Sequence, residues 1–344
     1  MPTAHPPGDA GTITHDIVEP RSLTLAALRS VIGRLPVSLR HLAEYQFGWR
    51  DETGQATDGS PGKLIRSTLT HLCARAAGRG PRVALPAAVA VELVHNFSVL
   101  HDDVMDRDAV RRHRPTVWSA FGTAQAVLLA DALLALAFRT VAELDRASAT
   151  SLGDALLDMV EGQARDLAFG GDRIDTITGG LATAAGKTGS LLRCACRLGA
   201  LSAGADGPRA SAFGEFGEHL GLAFQLTDDL LGIWGDPEST GKPVDSDLRS
   251  RKRTLPVLAA LTSGNAAADR LAHLYAQDPV LLSPPDEWSE LAGLIEDAGG
   301  RSWAERRGRQ AFLDAKAALE RARPDPDAAA DLLALADSLT HRTH

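Results

Sequence analysis

The amino-acid sequence predicts an all-α protein, a single large helical bundle, and three observations carry that prediction. Six segments, Leu23 to Phe47, Ala87 to Val104, Gly122 to Leu144, Ala149 to Phe169, Phe213 to Ile233 and Trp303 to Ala322, are long and rich in Ala and Leu. Their apolar residues recur three and four positions apart, with little of the alternation that marks a strand. Between them Gly, Pro and Asp collect at Arg50 to Gly62, Gly78 to Pro86, Gly170 to Asp175, Gly235 to Pro243 and Gln277 to Glu287, where the chain is expected to turn. No shift of composition divides the chain and no repeat recurs, so residues 21–344 read as one helical domain with antiparallel neighbours. Residues 1–20 read as a flexible leader, because the opening MPTAHPPGDAGTITHD is rich in Pro, Gly and Thr and lacks the charged-then-apolar layout of a signal peptide.

Composition narrows the function classes. A chain of 344 residues can bury a large core. A hydrophobic content of 44% with 23% charged residues is that of an ordinary globular protein. The net charge of −8 argues against a general nucleic-acid binder but permits a local basic pocket for phosphate. Cys73, Cys194 and Cys196 are an odd set without zinc-site spacing and read as reduced structural cysteines of a cytoplasmic protein. The longest apolar run, Ala124 to Phe138, is interrupted by Asp131 and is short for a bilayer, so no membrane span is expected.

The chemistry concentrates in VLHDDVMDRDAVRRHRP, Val99 to Pro115, where a dense acidic stretch reverses sign. On a helix Asp102 and Asp106 lie one turn apart on one face, with Asp103 about 100° round. Three such carboxylates repel unless a cation lies between them. Oxygen ligands with room for water and phosphate suit Mg²⁺. A second acidic pair, Asp228 and Asp229, stands in FQLTDDLLGIWGD, Phe224 to Asp236. Two pairs facing each other across a bundle would hold several Mg²⁺ ions on a diphosphate, and Arg111 and Arg112 would grip the remaining phosphate oxygens. Two other readings stand beside this one: a solvated acidic turn, and a His-Asp metal phosphohydrolase centred on His101. The latter needs further His ligands, and the eleven histidines show no second pairing of that kind.

With GKLIR (Gly62 to Arg66), VELVHNFSVLHDDVMDRDAVRRHRPTVW (Val91 to Trp118), EGQARDL (Glu161 to Leu167), GKTGSL (Gly186 to Leu191), FQLTDDLLGIWGD and GKPVDSDLRSRKRTLP (Gly241 to Pro256), the chain resembles the trans-polyprenyl diphosphate synthase family from about Leu23 to Leu261. It looks most like the short-chain geranylgeranyl diphosphate synthases. The resemblance implies an isoprenoid-synthase bundle with a central cavity between two Asp-rich helices, and a reaction joining isopentenyl diphosphate to an allylic diphosphate. It implies that Lys63, Arg66, His95 and Arg112 bind the diphosphate of isopentenyl diphosphate. Asp102, Asp106 and Asp228 would ligate Mg²⁺, three ions in all, supported by Asp103 and Asp229. Arg111, Lys187 and Lys242 would hold the allylic diphosphate, Gln163 and Asp166 would line the cavity, and Lys252 would lie near its mouth. Thr188 and Gln225 would turn oxygens toward the developing carbocation.

Three residues depart from the family pattern. Gly232 stands where a third Asp is usual, which predicts weaker metal affinity or slower turnover. Ser67 replaces a common Pro, and His113 a common Gly. Chain length is read from Phe97 and Ser98, since Phe97 lies five positions before Asp102, about 7.5 Å along a helix axis. An aromatic there resembles the class that stops at C20, with C15 next. The rivals are a terpene cyclase on the same fold, which would not need Lys63, Arg66, His95 and Arg112 together, and a non-catalytic partner subunit, against which the complete first motif argues. The family resemblance also implies a homodimer.

Overall fold

The computed structural model describes residues 15–57, 59, 62–168, 176–235, 246–249, 251–276 and 285–340. Its helices in chain order are α1 (His15–Ile32), α2 (Val37–Gln46), α3 (Ile65–Ala76), α4 (Leu85–Met105, entered through a 3₁₀ turn at Pro81–Ala84), α5 (Val117–Phe121), α6 (Thr123–Val141) and α7 (Arg146–Ala168). Then follow α8 (Ile177–Ala184), α9 (Ser190–Ser202), α10 (Gly207–Trp234), α11 (Ser246–Arg249), α12 (Leu255–Leu261), α13 (Ala266–Tyr275), α14 (Pro285–Asp297), α15 (Gly300–Arg321) and α16 (Pro326–Thr340). Strands are confined, among the described residues, to a two-stranded antiparallel hairpin, β1 (Val110–Arg111) and β2 (Arg114–Pro115), and an isolated bridge between Arg50 and Ala56.

The helix ends follow from local chemistry. Asp206 caps α10 by accepting from the Arg209 N–H, Thr176 caps α8 through Gly179, and Asn265 caps α13 through Ala268. The stretch Leu23 to Phe47, expected as one helix, is two: α1 ends at Ile32, and Pro36 starts α2 where its missing N–H costs nothing. Helix α1 begins at His15, within the span read as a leader.

The two helices that carry the acidic pairs are also the two central ones. Helix α4 is apolar round most of its circumference and packs against α3, α6 and α9, with Leu93 and Leu100 in one core cluster with Leu129 and Leu133 of α6. Helix α10 lies between α9 and α15, and its glycines let it approach α9 closely. A Cβ on Gly217 would lie 2.3 Å from the Leu192 carbonyl oxygen, and one on Gly221 would lie 2.7 Å from Gly189 Cα. Cys73, Cys194 and Cys196 are all free and buried.

By length and composition Pro81–Met105 and Thr123–Val141 are long and apolar enough to cross a membrane. Helix α6 thus runs to 19 residues, beyond the apolar run seen in the sequence. The bundle core accounts for the first stretch, 67% of whose apolar window is buried, but only 39% of the α6 window is covered.

Candidate active site

Asp102 and Asp103 end the last turn of α4, and Asp106 is its C-cap residue. The chain then folds back through the β1–β2 hairpin, anchored where Thr116 Oγ1 and Trp118 Nε1 both donate to the Asp108 carbonyl, at 2.8 and 2.9 Å. The hairpin brings Arg111 onto Asp103, with Nε 2.6 Å from Oδ1. Asp103 is 2% exposed, and burial pushes its carboxyl up to about 6 against the pull of Arg111. The turn residues Arg112 and His113 have φ of 52° and 60°, the left-handed region, so His113 holds a conformation that Gly adopts without strain.

The opposite wall comes from α7 and the junction of α8 with α9. Between those two helices Ala185–Gly189 form a π-turn. Such single-turn widenings inside helices recur at functional sites. Here it rests on α7 at a glycine pair: a Cβ on Gly162 would lie 2.5 Å from the Lys187 backbone nitrogen. From the turn Lys187 reaches Asp166 Oδ2 at 2.8 Å and Asp102 Oδ1 at 3.7 Å, joining α7 to α4. Thr188 Oγ1 donates to Gln225 Oε1 at 2.7 Å, and Gln225 Nε2 donates to Asp229 Oδ1 at 2.7 Å. The second Asp229 oxygen accepts from the Leu255 N–H at 3.0 Å. Burial pushes Asp229 up to about 7, opposed by the Leu255 and Gln225 hydrogen bonds. Asp228, half-buried, precedes it on α10.

Lys252 records how closely these elements converge. Burial works against its charge, yet Asp166 of α7, Asp247 of α11, Asp229 of α10 and Asp106 of α4 together push its proton affinity up. Asp102 likewise is raised by burial, with Lys187 lowering it and Asp106 raising it further. The two acidic motifs therefore share one electrostatic neighbourhood. Among the described residues no three His, Cys, Asp or Glu side chains stand close enough to hold a metal unaided. The donor set is nevertheless one of hard carboxylate oxygens, which fits a divalent cation whose remaining ligands are phosphate and water oxygens.

A second, basic cluster adjoins the first through Arg112. Gly62, at φ 103°, leaves just enough room for it: a Cβ there would lie 2.6 Å from Arg112 Nη1. Arg66 sits in the first turn of α3 with its Nε buried and unbonded. His95 of α4 is held well below the ordinary imidazole range by burial, and then by Arg66, Arg112 and Arg111. Lys63 is exposed at the loop. Glu92, buried at the centre of this cluster, was not anticipated from the sequence, although it lies inside a quoted motif one turn before His95.

Elsewhere, Gln163 Nε2 lies 3.7 Å from Met105 Sδ, with its Oε1 buried and unbonded. Lys242 lies outside the described residues. Phe97 is buried in the α4–α6 core and its ring centroid is 4.5 Å from that of His101, while Ser98 Oγ donates to the His95 carbonyl. His101 therefore packs on an aromatic ring, and no second histidine joins it in a metal cluster among the described residues. At Gly232 the carboxylate of Asp247 fills the vacated space, since a Cβ there would lie 2.1 Å from Asp247 Oδ2.

Comparison with known proteins agrees with this arrangement. Residues 49–282 match the polyprenyl synthetase family. The chain is 44% identical over 320 residues to a geranylgeranyl diphosphate synthase of Mycobacterium tuberculosis, covering 92% of this chain and 90% of that one. It is also 44% identical over 297 residues to a (2E,6E)-farnesyl diphosphate synthase of the same organism, covering 85% and 81%. The crystal structure of a polyprenyl synthetase from Streptomyces coelicolor A3(2) superimposes with a TM-score of 0.90 at 43% identity, covering 95% of this chain and 99% of that one. With both Asp motifs, the basic cluster and the whole bundle accounted for, the chain belongs to the polyprenyl synthetase family and is an enzyme that transfers prenyl groups.

Proposed function

We propose that the protein is a Mg²⁺-dependent prenyltransferase that condenses isopentenyl diphosphate head-to-tail with an allylic diphosphate, and that its product is geranylgeranyl diphosphate. The observation that carries this reading is the adjacency of two different sites. One is acidic and built for a metal-bound diphosphate; the other is basic and built for a second diphosphate, and they meet at Arg111 and Arg112. A cyclase on the same fold handles one diphosphate and has no use for the Lys63, Arg66, His95 and Arg112 cluster.

In this reading Asp102, Asp106 and Asp228 would hold the Mg²⁺, three ions in full occupancy, in a central cavity between α4 and α10. The bound metal would neutralise charge growing on the departing allylic diphosphate. Lys187, Arg111 and Lys242 share that load, so the allylic C–O bond can ionise to a carbocation and pyrophosphate. The chain from Thr188 through Gln225 to Asp229 holds both side chains in one orientation, which supports a role in which their oxygens would meet the cation without reorganising. Gln163 and Asp166 border the same space, and Asp166 steadies Lys187. The basic cluster holds the homoallylic double bond beside the cation, which makes carbon–carbon bond formation effectively intramolecular. The proton lost afterwards goes to the pyrophosphate.

Phe97 supports the C20 assignment, since its buried ring stands on α4 on the core side of Asp102, where Ser98 adds little bulk. The alternative is a C15 product, favoured by the equal identity to the farnesyl diphosphate synthase. The enzyme acts in the cytoplasm as a homodimer, the outer apolar faces of α6 and α7 supporting self-association.

The test is incubation of purified protein with Mg²⁺, isopentenyl diphosphate and, separately, C5, C10 and C15 allylic diphosphates, with product length read by chromatography and mass. A C20 product from wild type, and longer products from Phe97→Ala, are expected. No elongation from any primer, with metal-dependent diphosphate release, moves the assignment to a cyclase.

A further inference from the structure

A cleft of about 810 Å³ lies between α7, α9 and α10, and Arg197 of α9 stands in it. Its Nε donates to Ser151 Oγ of α7 at 3.0 Å and its Nη1 to Ser211 Oγ of α10 at 2.6 Å. Among the described residues Arg197 forms no ion pair with a carboxylate, and its Nη2 has no protein acceptor. Arg193, one turn earlier and lining the same cleft, is by contrast held by Asp158 and by Glu218, the latter at 3.7 Å. The serines matter equally. A hydroxyl that accepts from a guanidinium keeps its own proton for another acceptor. Thr140, Ser190 and Thr227 spend theirs on a carbonyl one turn back, whereas among the described residues neither Ser151 nor Ser211 donates to the protein. A part-buried guanidinium fixed by neutral partners, with an unspent N–H pair and two unspent O–H groups beside it, is a receptor for an oxyanion.

We propose that this cleft is a second ligand site, apart from the prenyl-transfer centre, and that it takes a small molecule bearing one phosphate group. Arg197, Ser151 and Ser211 hold the phosphate, and the exposed side chains of Arg146 and Thr150 at the start of α7 border it. Phosphate suits the cleft better than carboxylate because its three terminal oxygens match donors arriving from three helices. The other lining charges narrow the class. Glu215 is paired with Arg321 and Glu218 with Arg193, but Asp154 has no ion-pair partner among the described residues. That carboxylate repels a second anionic group, so nucleic acid and oligophosphates are disfavoured, and an ester with hydroxyl or amine donors toward Asp154 is preferred. The volume leaves room for such an organic part. The cleft also stands clear of Lys187 and Thr188: Arg197 lies seven residues beyond Ser190, the first residue of α9, about 10 Å along its axis.

A purely structural role for Arg197, as a brace joining three helices, predicts lower stability on its loss and no phosphate affinity in the cleft. Calorimetric titration of the full chain with inorganic phosphate, without Mg²⁺ and at fixed ionic strength, separates the two. It is run in an Arg66→Gln and Arg112→Gln background, which removes the guanidiniums of the other basic cluster. One phosphate per chain is expected there. Adding Arg197→Gln should weaken its binding by about tenfold or more, and adding Ser151→Ala with Ser211→Ala by about fivefold although no charge changes. Glycerol 3-phosphate, the organic probe, should bind more tightly than inorganic phosphate. Thermal melting checks folding, and in the otherwise wild-type enzyme Arg197→Gln should leave both substrate KM values within about twofold. No binding in the background chain, or an affinity that neither set of substitutions alters, overturns the proposal and leaves Arg197 as a brace. Equal affinity for the two probes overturns the assignment to an ester, and a larger change in either KM overturns the separation from the prenyl-transfer centre. If Arg197→Gln does not fold, the serine pair, which keeps the charge, decides alone.

Discussion

Gly232 is the residue whose meaning changes most between sequence and structure. As a sequence position it is a missing carboxylate in the second acidic motif. In three dimensions a carboxylate is present there, brought from α11 by Asp247, whose Oδ2 lies 2.1 Å from the point a Cβ would occupy. Restoring an aspartate at 232 would therefore force two carboxylates into one space beside Asp229, which burial already drives toward protonation. Gly232→Asp is expected to lower kcat without lowering the Mg²⁺ concentration at half-maximal activity, and Gly232→Ala to act in the same direction through sterics alone. Asp247→Asn is expected to raise the half-saturating Mg²⁺ by about tenfold. Metal titrations of the purified variants check all three. A Gly232→Asp enzyme that is faster and binds Mg²⁺ more tightly would mean that the position is a true deficit.

At the scale of elements, the site depends on two irregularities that hydrophobic periodicity does not reveal. The sequence marks GKTGSL as functional, but a π-turn adds only one residue to a helical turn and leaves the three-and-four spacing on either side intact. The β1–β2 hairpin is hidden for a different reason: its turn residues are Arg112 and His113 instead of the Asn-Gly or Asp-Gly that announce such turns. Glu92 escaped because a buried glutamate in an apolar helix carries no pattern of its own until its partner on α3 is known. The acidic pairs, by contrast, stand out in the sequence because adjacent carboxylates interrupt the apolar runs that become α4 and α10. The π-turn yields a sharp prediction. A Cβ on Gly162 would meet the Lys187 backbone nitrogen at 2.5 Å and Gly186 Cα at 2.9 Å, atoms that cannot rotate away. Gly162→Ala is expected to destabilise the protein by about 1–3 kcal/mol. It should also reduce kcat more than an alanine at Gly153, where a Cβ would meet no atom within 4 Å, because Lys187 and Thr188 are carried off Asp166 and Gln225. Thermal melting and kinetics measured together distinguish this from a simple loss of folded protein.

On the scale of the whole molecule, the helical bundle was legible because its long helices carry an Ala/Leu periodicity that a packed core explains, yet one outer face leaves large apolar side chains uncovered. Helix α7 turns Leu152, Ala155, Met159 and Gly162 inward, while on its other side Leu157, Val160 and Leu167 are 69%, 53% and 54% exposed. Neighbouring α6 adds Leu128 and Phe138, which are 54% and 38% exposed. Isolated apolar residues on a surface are ordinary, but several large ones on two neighbouring helices suit a contact. A second copy meeting this face through the same residues would bury it symmetrically. The pair Leu128→Glu and Leu157→Glu places four charges in such an interface, and burying each without a partner costs several kcal/mol. Sedimentation or light scattering of wild type is expected to give twice the 36.3 kDa chain mass, and of the double variant the chain mass itself, with helical content unchanged. A wild-type monomer, or a double variant that remains dimeric, would remove this face from the interface and leave the exposure of α6 and α7 without an occupant.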